Sequence, residues 1–302
     1  MKKFIKALSI SILIIFSMGI GVYSGYYKNS IYYAFRDVKD LVYKKPLQGR
    51  YTLTSKRILV SNDQLKKIPR NDLFVFMTYG QSHTLNSTRA ERMINENVIN
   101  FFNGKNYIYD DPSLGASGST SSIWGLVGDK LLNKTKCSKV VFAHGGYGGR
   151  TIEKLCKKSN FDYFAQNYID LKKFYGHVDA ILFHQGASNN TNRNRHDEYE
   201  KYFHKLISKI DSMDTSARLI MAKSSYNTNF NREQPTIDTA LTLKQNKIIK
   251  RYTNVFLGPN ADSLIDKEHR ISQDDIHFSK LGAEKLSTIW TERIIRFFNK
   301  NK

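Results

Sequence analysis

The chain has 302 residues, 40% of them hydrophobic and 25% charged, which excludes a disordered chain and leaves room for one large domain with an appendage. Its formal charge of +20 favours anionic surroundings and ligands, but the basic residues are spread along the chain. No nucleic-acid-binding motif accompanies them, so no nucleic-acid partner is expected.

In chain order, Lys2, Lys3 and Lys6 come first, and residues 7–22 are then apolar apart from Ser9, Ser11 and Ser17. With Phe4 and Ile5 the run is long enough to cross a bilayer as a helix, which takes about 20 residues. Tyr23, Tyr26 and Tyr27 follow where an interfacial aromatic belt would sit. The lysines favour a cytoplasmic N-terminus. Residues 1–27 are therefore expected to be an uncleaved transmembrane signal anchor, with the rest of the chain outside the cytoplasm, periplasmic or extracellular. A cleaved signal peptide is the rival reading, and no clean small-x-small site follows the apolar run. Residues 28–70, basic and aromatic and punctuated by Pro46 and Pro69, read as a stalk and lead-in. Residues 71–302 read as the folded domain.

Within that domain, short apolar runs predict five strands, at 73–77, 139–143, 178–183, 217–222 and 254–257. Helical patterns fill 122–132, 151–157, 161–174, 198–211, 237–252 and 279–298. Strands alternating with helices predict a parallel sheet covered on both faces, a three-layer α/β/α sandwich of flavodoxin-like type. Ligands of such folds bind beyond the carboxyl ends of the strands. Cys137 lies just before the second strand and Cys156 on the helix after it; in an exported domain they are either a pair or two packed thiols, and no Cys/His cluster has metal-ligand spacing.

The strand ends carry the chemistry. After the first come Gly80-Gln81-Ser82-His83, where a glycine permits a tight turn and a serine hydroxyl faces the crevice. After the second comes His144-Gly145-Gly146-Tyr147-Gly148-Gly149-Arg150, whose glycines let backbone N–H groups approach a developing oxyanion. After the third come His184-Gln185-Gly186, offering a side-chain amide as a further donor, with Asn189 close behind. Beyond the last strand, Asp274-Asp275-Ile276-His277 precedes a long helix, with a carboxylate spaced to orient an imidazole base.

This order of blocks resembles the SGNH hydrolases, and more closely the sialate O-acetylesterase-like carbohydrate esterases. Gly80-Gln81-Ser82-His83 is similar to a Gly-Gln-Ser-Asn block, Gly148-Gly149-Arg150-Thr151 to a Gly-Gly-Thr block, His184-Gln185-Gly186-Ala187 to His-Gln-Gly-Glu, and Asp274 to His277 to Asp-Gly-x-His. The likeness spans roughly residues 72–298. Three positions depart from it: His83 stands for Asn, Ala187 for Glu, and Arg150 is inserted.

The resemblance implies a serine esterase that removes O-acetyl groups from an envelope or surface carbohydrate. Its triad would be Ser82, His277 and Asp274, with Asp275 the rival orienting acid. The oxyanion donors would be Ser82, Gly148, Gly149 and Gln185. Substrate contacts are expected at Gln81, His83, His144, Arg150, His184 and Asn189. No metal or organic cofactor is implied. The expected partners are the acetylated carbohydrate, including an acidic polysaccharide, and the membrane. Two alternatives stay open: an O-acetyltransferase using the same site, and a glycan-binding protein that keeps only the fold.

Overall fold

A computed structural model describes residue 17 and residues 50–190, 196–227 and 235–300. The strands are β1 (Leu73–Gly80), β2 (Val98–Phe102), β3 (Lys105–Ile108), β4 (Lys139–His144), β5 (Ala180–His184), β6 (Leu219–Lys223) and β7 (Val255–Asn260). They form one sheet in the order β3-β2-β4-β1-β5-β6-β7. The helices are α1 (Asn62–Lys66), α2 (Trp124–Lys134), α3 (Ile152–Leu155), α4 (Lys158–Tyr175), α5 (Ala187–Asn190), α6 (His196–Met213), α7 (Thr239–Arg251) and α8 (Lys280–Lys300).

The fold expectation is corrected in two respects. The sheet is seven-stranded and mixed, not five-stranded and parallel. The five foreseen strands are present and parallel, but β2 adds beside β4, and β3 returns antiparallel to β2. Asn103 and Gly104 make that hairpin turn with φ of 50° and 73°, the left-handed pair that a two-residue hairpin needs. The second correction concerns the membrane. Among the described residues no helix is long and apolar enough to cross one, so the transmembrane helix finds no support there. Its segment, 1–27, lies outside the described residues except for Ser17.

β1 reads Leu-Phe-Val-Phe-Met-Thr-Tyr-Gly, apolar on both faces, as a strand covered on both sides must be. Its alternate residues divide the core. Val75, Met77 and Tyr79 face α4, α6 and α7, whereas Phe76 faces α2 and α8. Trp124 of α2 and Trp290 of α8 meet at 5.2 Å on the second face. Cys137 packs in one of these layers and Cys156 in the other, and both are free thiols. The sheet stands between them, which rules out the pairing alternative.

Of the expected stalk, residues 50–70 are described, and they lie on the domain. Tyr51 exchanges backbone hydrogen bonds with Gly115 and Ala116, Val60 donates to Asn106, and Leu65 of α1 is buried. The remainder of 28–70 lies outside the described residues.

Candidate active site

The nucleophile turn is built from β1 outward. Gly80 has φ of 143°, and a Cβ there would stand 2.2 Å from the His184 carbonyl oxygen, so only glycine fits between β1 and β5. Gln81 leaves the strand extended, and Ser82–Thr84 form one 3-10 turn. The turn is tied on every side. Thr84 donates to Gln81 O, Leu85 N–H donates to Ser82 O at 2.8 Å, Ser87 Oγ donates to the same oxygen at 2.5 Å, and the Trp124 indole donates to Thr84 O at 2.9 Å. Ser82 remains partly exposed at the strand end.

The base loop supports itself. Asp274 Oδ1 accepts the Ile276 and His277 N–H groups, both at 2.9 Å, and Oδ2 accepts from His277 Nδ1 at 2.5 Å. A carboxylate only accepts, so Nδ1 carries a proton, and in the neutral imidazole the lone pair is then on Nε2. Burial works against ionisation of Asp274, but the hydrogen bonds and charge of His277 outweigh it and bring its pKa down to about 2. Asp275, at φ of 54°, makes the bend. The choice between the two carboxylates therefore falls on Asp274 as the ring's partner.

Strand-end turn and base loop abut. The His83 ring meets the His277 ring edge-on at 5.7 Å and the Phe278 ring at 4.9 Å, and Arg89 N–H donates to Phe278 O. The glycine loop after β4 lies along the same turn, with Gly145 N–H on Thr78 O and Tyr147 N–H on Gly80 O, both at 2.9 Å. The Gly148 N–H is directed at Ser117 Oγ, at 3.3 Å. Gly149 has its own interactions within the protein.

Gln185 is revised. Asn189 Oδ1 accepts the Ile152 N–H at 3.0 Å, which fixes that amide's orientation, and it also accepts Gln185 Nε2 at 2.6 Å. The other Gln185 Nε2 proton goes to Arg150 O at 3.2 Å. Both donor hydrogens of Gln185 are thus committed to the glycine loop and α5, leaving none for an oxyanion.

The six residues expected to contact substrate, Gln81, His83, His144, Arg150, His184 and Asn189, are buried and tie the site's own segments together. Gln81 Oε1 accepts the Gly186 and Ser188 N–H groups, joining the first block to the third. Asn189 bridges Ile152 and Gln185. Thr78 Oγ1 and His144 Nδ1 share a hydrogen bond of 2.8 Å, and burial brings His144 and His184 down to about 3, so both are neutral. The Arg150 guanidinium lies over the Tyr147 ring at 4.3 Å.

Sequence reasoning passed over the loop 113–122. Asn86, four residues beyond Ser82, is its hub: Nδ2 donates to Ser113 O and Ala116 O, Oδ1 accepts from Ser113, and the backbone bonds Ser117 and Thr120. This places Ser117 against the glycine loop. The run Gly115-Ala116-Ser117-Gly118-Ser119-Thr120 was the available signal, since small residues suit a close approach of backbones.

Compared with known families, residues 125–296 match the carbohydrate esterase, sialic acid-specific acetylesterase family. The chain belongs to that family of carbohydrate esterases. The matched stretch holds the glycine loop, the third block and the Asp274–His277 loop; the turn at Ser82 precedes it. No curated protein sequence matches the chain. Among solved structures, a protein from Arabidopsis thaliana is similar at 12% identity and a TM-score of 0.59, over 74% of this chain and 98% of that one. A carbohydrate acetylesterase from Xanthomonas citri is similar at 12% identity and 0.51, over 72% of this chain and 55% of its own. A carbohydrate esterase family 3 protein from Talaromyces cellulolyticus is similar at 10% identity and 0.51, over 75% and 99%. At such identities the likeness is one of fold.

Proposed function

We propose that this carbohydrate esterase removes O-acetyl groups from an acetylated carbohydrate through an acyl-enzyme on Ser82. The observation that carries the reading is the Asp274–His277 pair at 2.5 Å, in a loop packed against the turn that bears Ser82. His277 Nε2 takes the Ser82 proton as Oγ attacks the acetyl carbonyl, and Asp274 stabilises the imidazolium that forms. The tetrahedral oxygen is met by the Ser82 N–H and by the Gly148 N–H, which leaves Ser117 Oγ to do so. One such donor is typically worth about 2.7–4 kcal/mol of barrier. His277 then gives its proton to the sugar oxygen as the C–O bond breaks, so that the sugar leaves as its alcohol; a water that loses its proton to the same base attacks the acyl-enzyme, and the proton returns to Ser82 Oγ as acetate is released.

The test is acetate release from O-acetylated sugars by wild-type protein and by Ser82→Ala. Wild type should turn over, and the variant should lose about 10³-fold or more. A folded Ser82→Ala that retains near wild-type turnover would refute the assignment.

A further inference from the structure

We infer that His83 is a positioning residue for the base: its imidazole clamps the loop that carries His277. The inference rests on the esterase reading for its catalytic consequence, though not for its geometry.

His83 is 1% exposed, so it is not presented to a substrate in solution. Its ring meets three consecutive residues of the base loop. Nε2 lies 3.3 Å from Ile276 O, and the ring faces the rings of His277 at 5.7 Å and 82° and of Phe278 at 4.9 Å. A carbonyl oxygen only accepts, so the proton sits on Nε2 and the tautomer is fixed. The same carbonyl takes Arg270 Nη1 at 2.5 Å. Ile276 O is therefore held by two donors, Arg270 and a histidine on the nucleophile turn. His83 adjoins Ser82 in sequence, so the clamp fixes the base relative to the nucleophile.

The clamping ring is held neutral. Its Nδ1 has no hydrogen-bond partner among the described residues, so a proton there would be a buried, unpaired charge. Burial first, and then His184, His277 and Arg270, hold its pKa well below the ordinary histidine range. The ring beside His277 thus stays uncharged when His277 becomes imidazolium, and adds no like charge to oppose it.

Three variants test this: His83→Gln, whose Nε2 reaches where the imidazole Nε2 does; His83→Phe, which keeps a ring without a donor; and His83→Asn, too short to reach Ile276 O. Two readouts are used. One is the split of kcat and KM on an acetylated sugar. The other is the far-downfield proton signal of the His277 Nδ1–H to Asp274 hydrogen bond, which needs no turnover. His83→Phe and His83→Asn should lose on the order of 10- to 100-fold in kcat, as expected of a small misplacement. Their KM should stay within about twofold, and the downfield signal should broaden or vanish. His83→Gln should keep both. If His83→Phe does not fold, the Asn and Gln pair gives the same comparison. Wild-type kcat and an intact signal in His83→Phe or His83→Asn would overturn the clamp, and so would equal losses in Gln. If the wild type turns over no acetyl ester, the functional reading fails and the downfield signal alone decides the clamp.

Discussion

Asp274 is the residue on which the base depends most directly. It binds the ring and two backbone N–H groups of its own loop, whereas Asp275 makes the bend and donates its backbone N–H to Ile271 O. Asp274→Asn should therefore lower turnover by about 10²–10⁴-fold, by analogy with the loss of the orienting acid in serine hydrolases. Asp275→Asn should stay within about threefold, since asparagine also tolerates left-handed backbone. Steady-state kinetics of the two variants checks this. The depressed pKa of Asp274 also has a stability consequence. Its folded value is about 2 against an ordinary 3.8, so the unfolded chain binds a proton more readily. The stability it contributes is present above about pH 4 and is lost as pH falls towards 2. Urea unfolding of wild type and Asp274→Asn should show a gap at neutral pH that closes near pH 2. Asp274 was legible from its three-residue spacing to His277. Gln185 was not, because its role turns on which partners the amide takes, and these are set by Ile152 and Asn189 from other segments.

At the scale of elements, the parallel strands could be read because each is a short apolar run buried on both faces. β2 escaped because Asn100 interrupts Val-Ile-Asn-Phe-Phe. That asparagine is buried and satisfied: its Oδ1 accepts from Leu114 N–H at 2.6 Å, and no apolar count foresees such a partner. The Asn103-Gly104 turn was the stronger signal. Strand-end turns are where the elements become a site, and Gly80 sits in a very tight one. Gly80→Ala would drive a methyl to 2.2 Å from the His184 carbonyl oxygen in a left-handed backbone. The β1–β5 contact must then open. A loss of several °C in Tm is expected, roughly 1–3 kcal/mol, together with a loss of turnover. Thermal unfolding and acetyl-ester assays of the one variant test both parts.

For the whole molecule, the three-layer arrangement explains why residues distant in sequence meet at one end of the sheet while others nearby never do. Cys137 and Cys156 are 19 positions apart in the chain, yet they belong to opposite layers. Unreduced protein should therefore yield two thiols on denaturation and little reaction while folded, both side chains being buried. A single disulfide under those conditions would contradict the layer assignment. The same layering gathers the first block, the glycine loop and the base loop around Ser82, and that convergence is the central claim. Its most direct test is labelling with a fluorophosphonate, which reacts with a serine only when a base and oxyanion donors act on it. Intact mass followed by peptide mapping should find one adduct per chain, on Ser82, absent from Ser82→Ala and from His277→Ala. An adduct on another serine, or labelling of Ser82→Ala at the wild-type rate, would contradict the account.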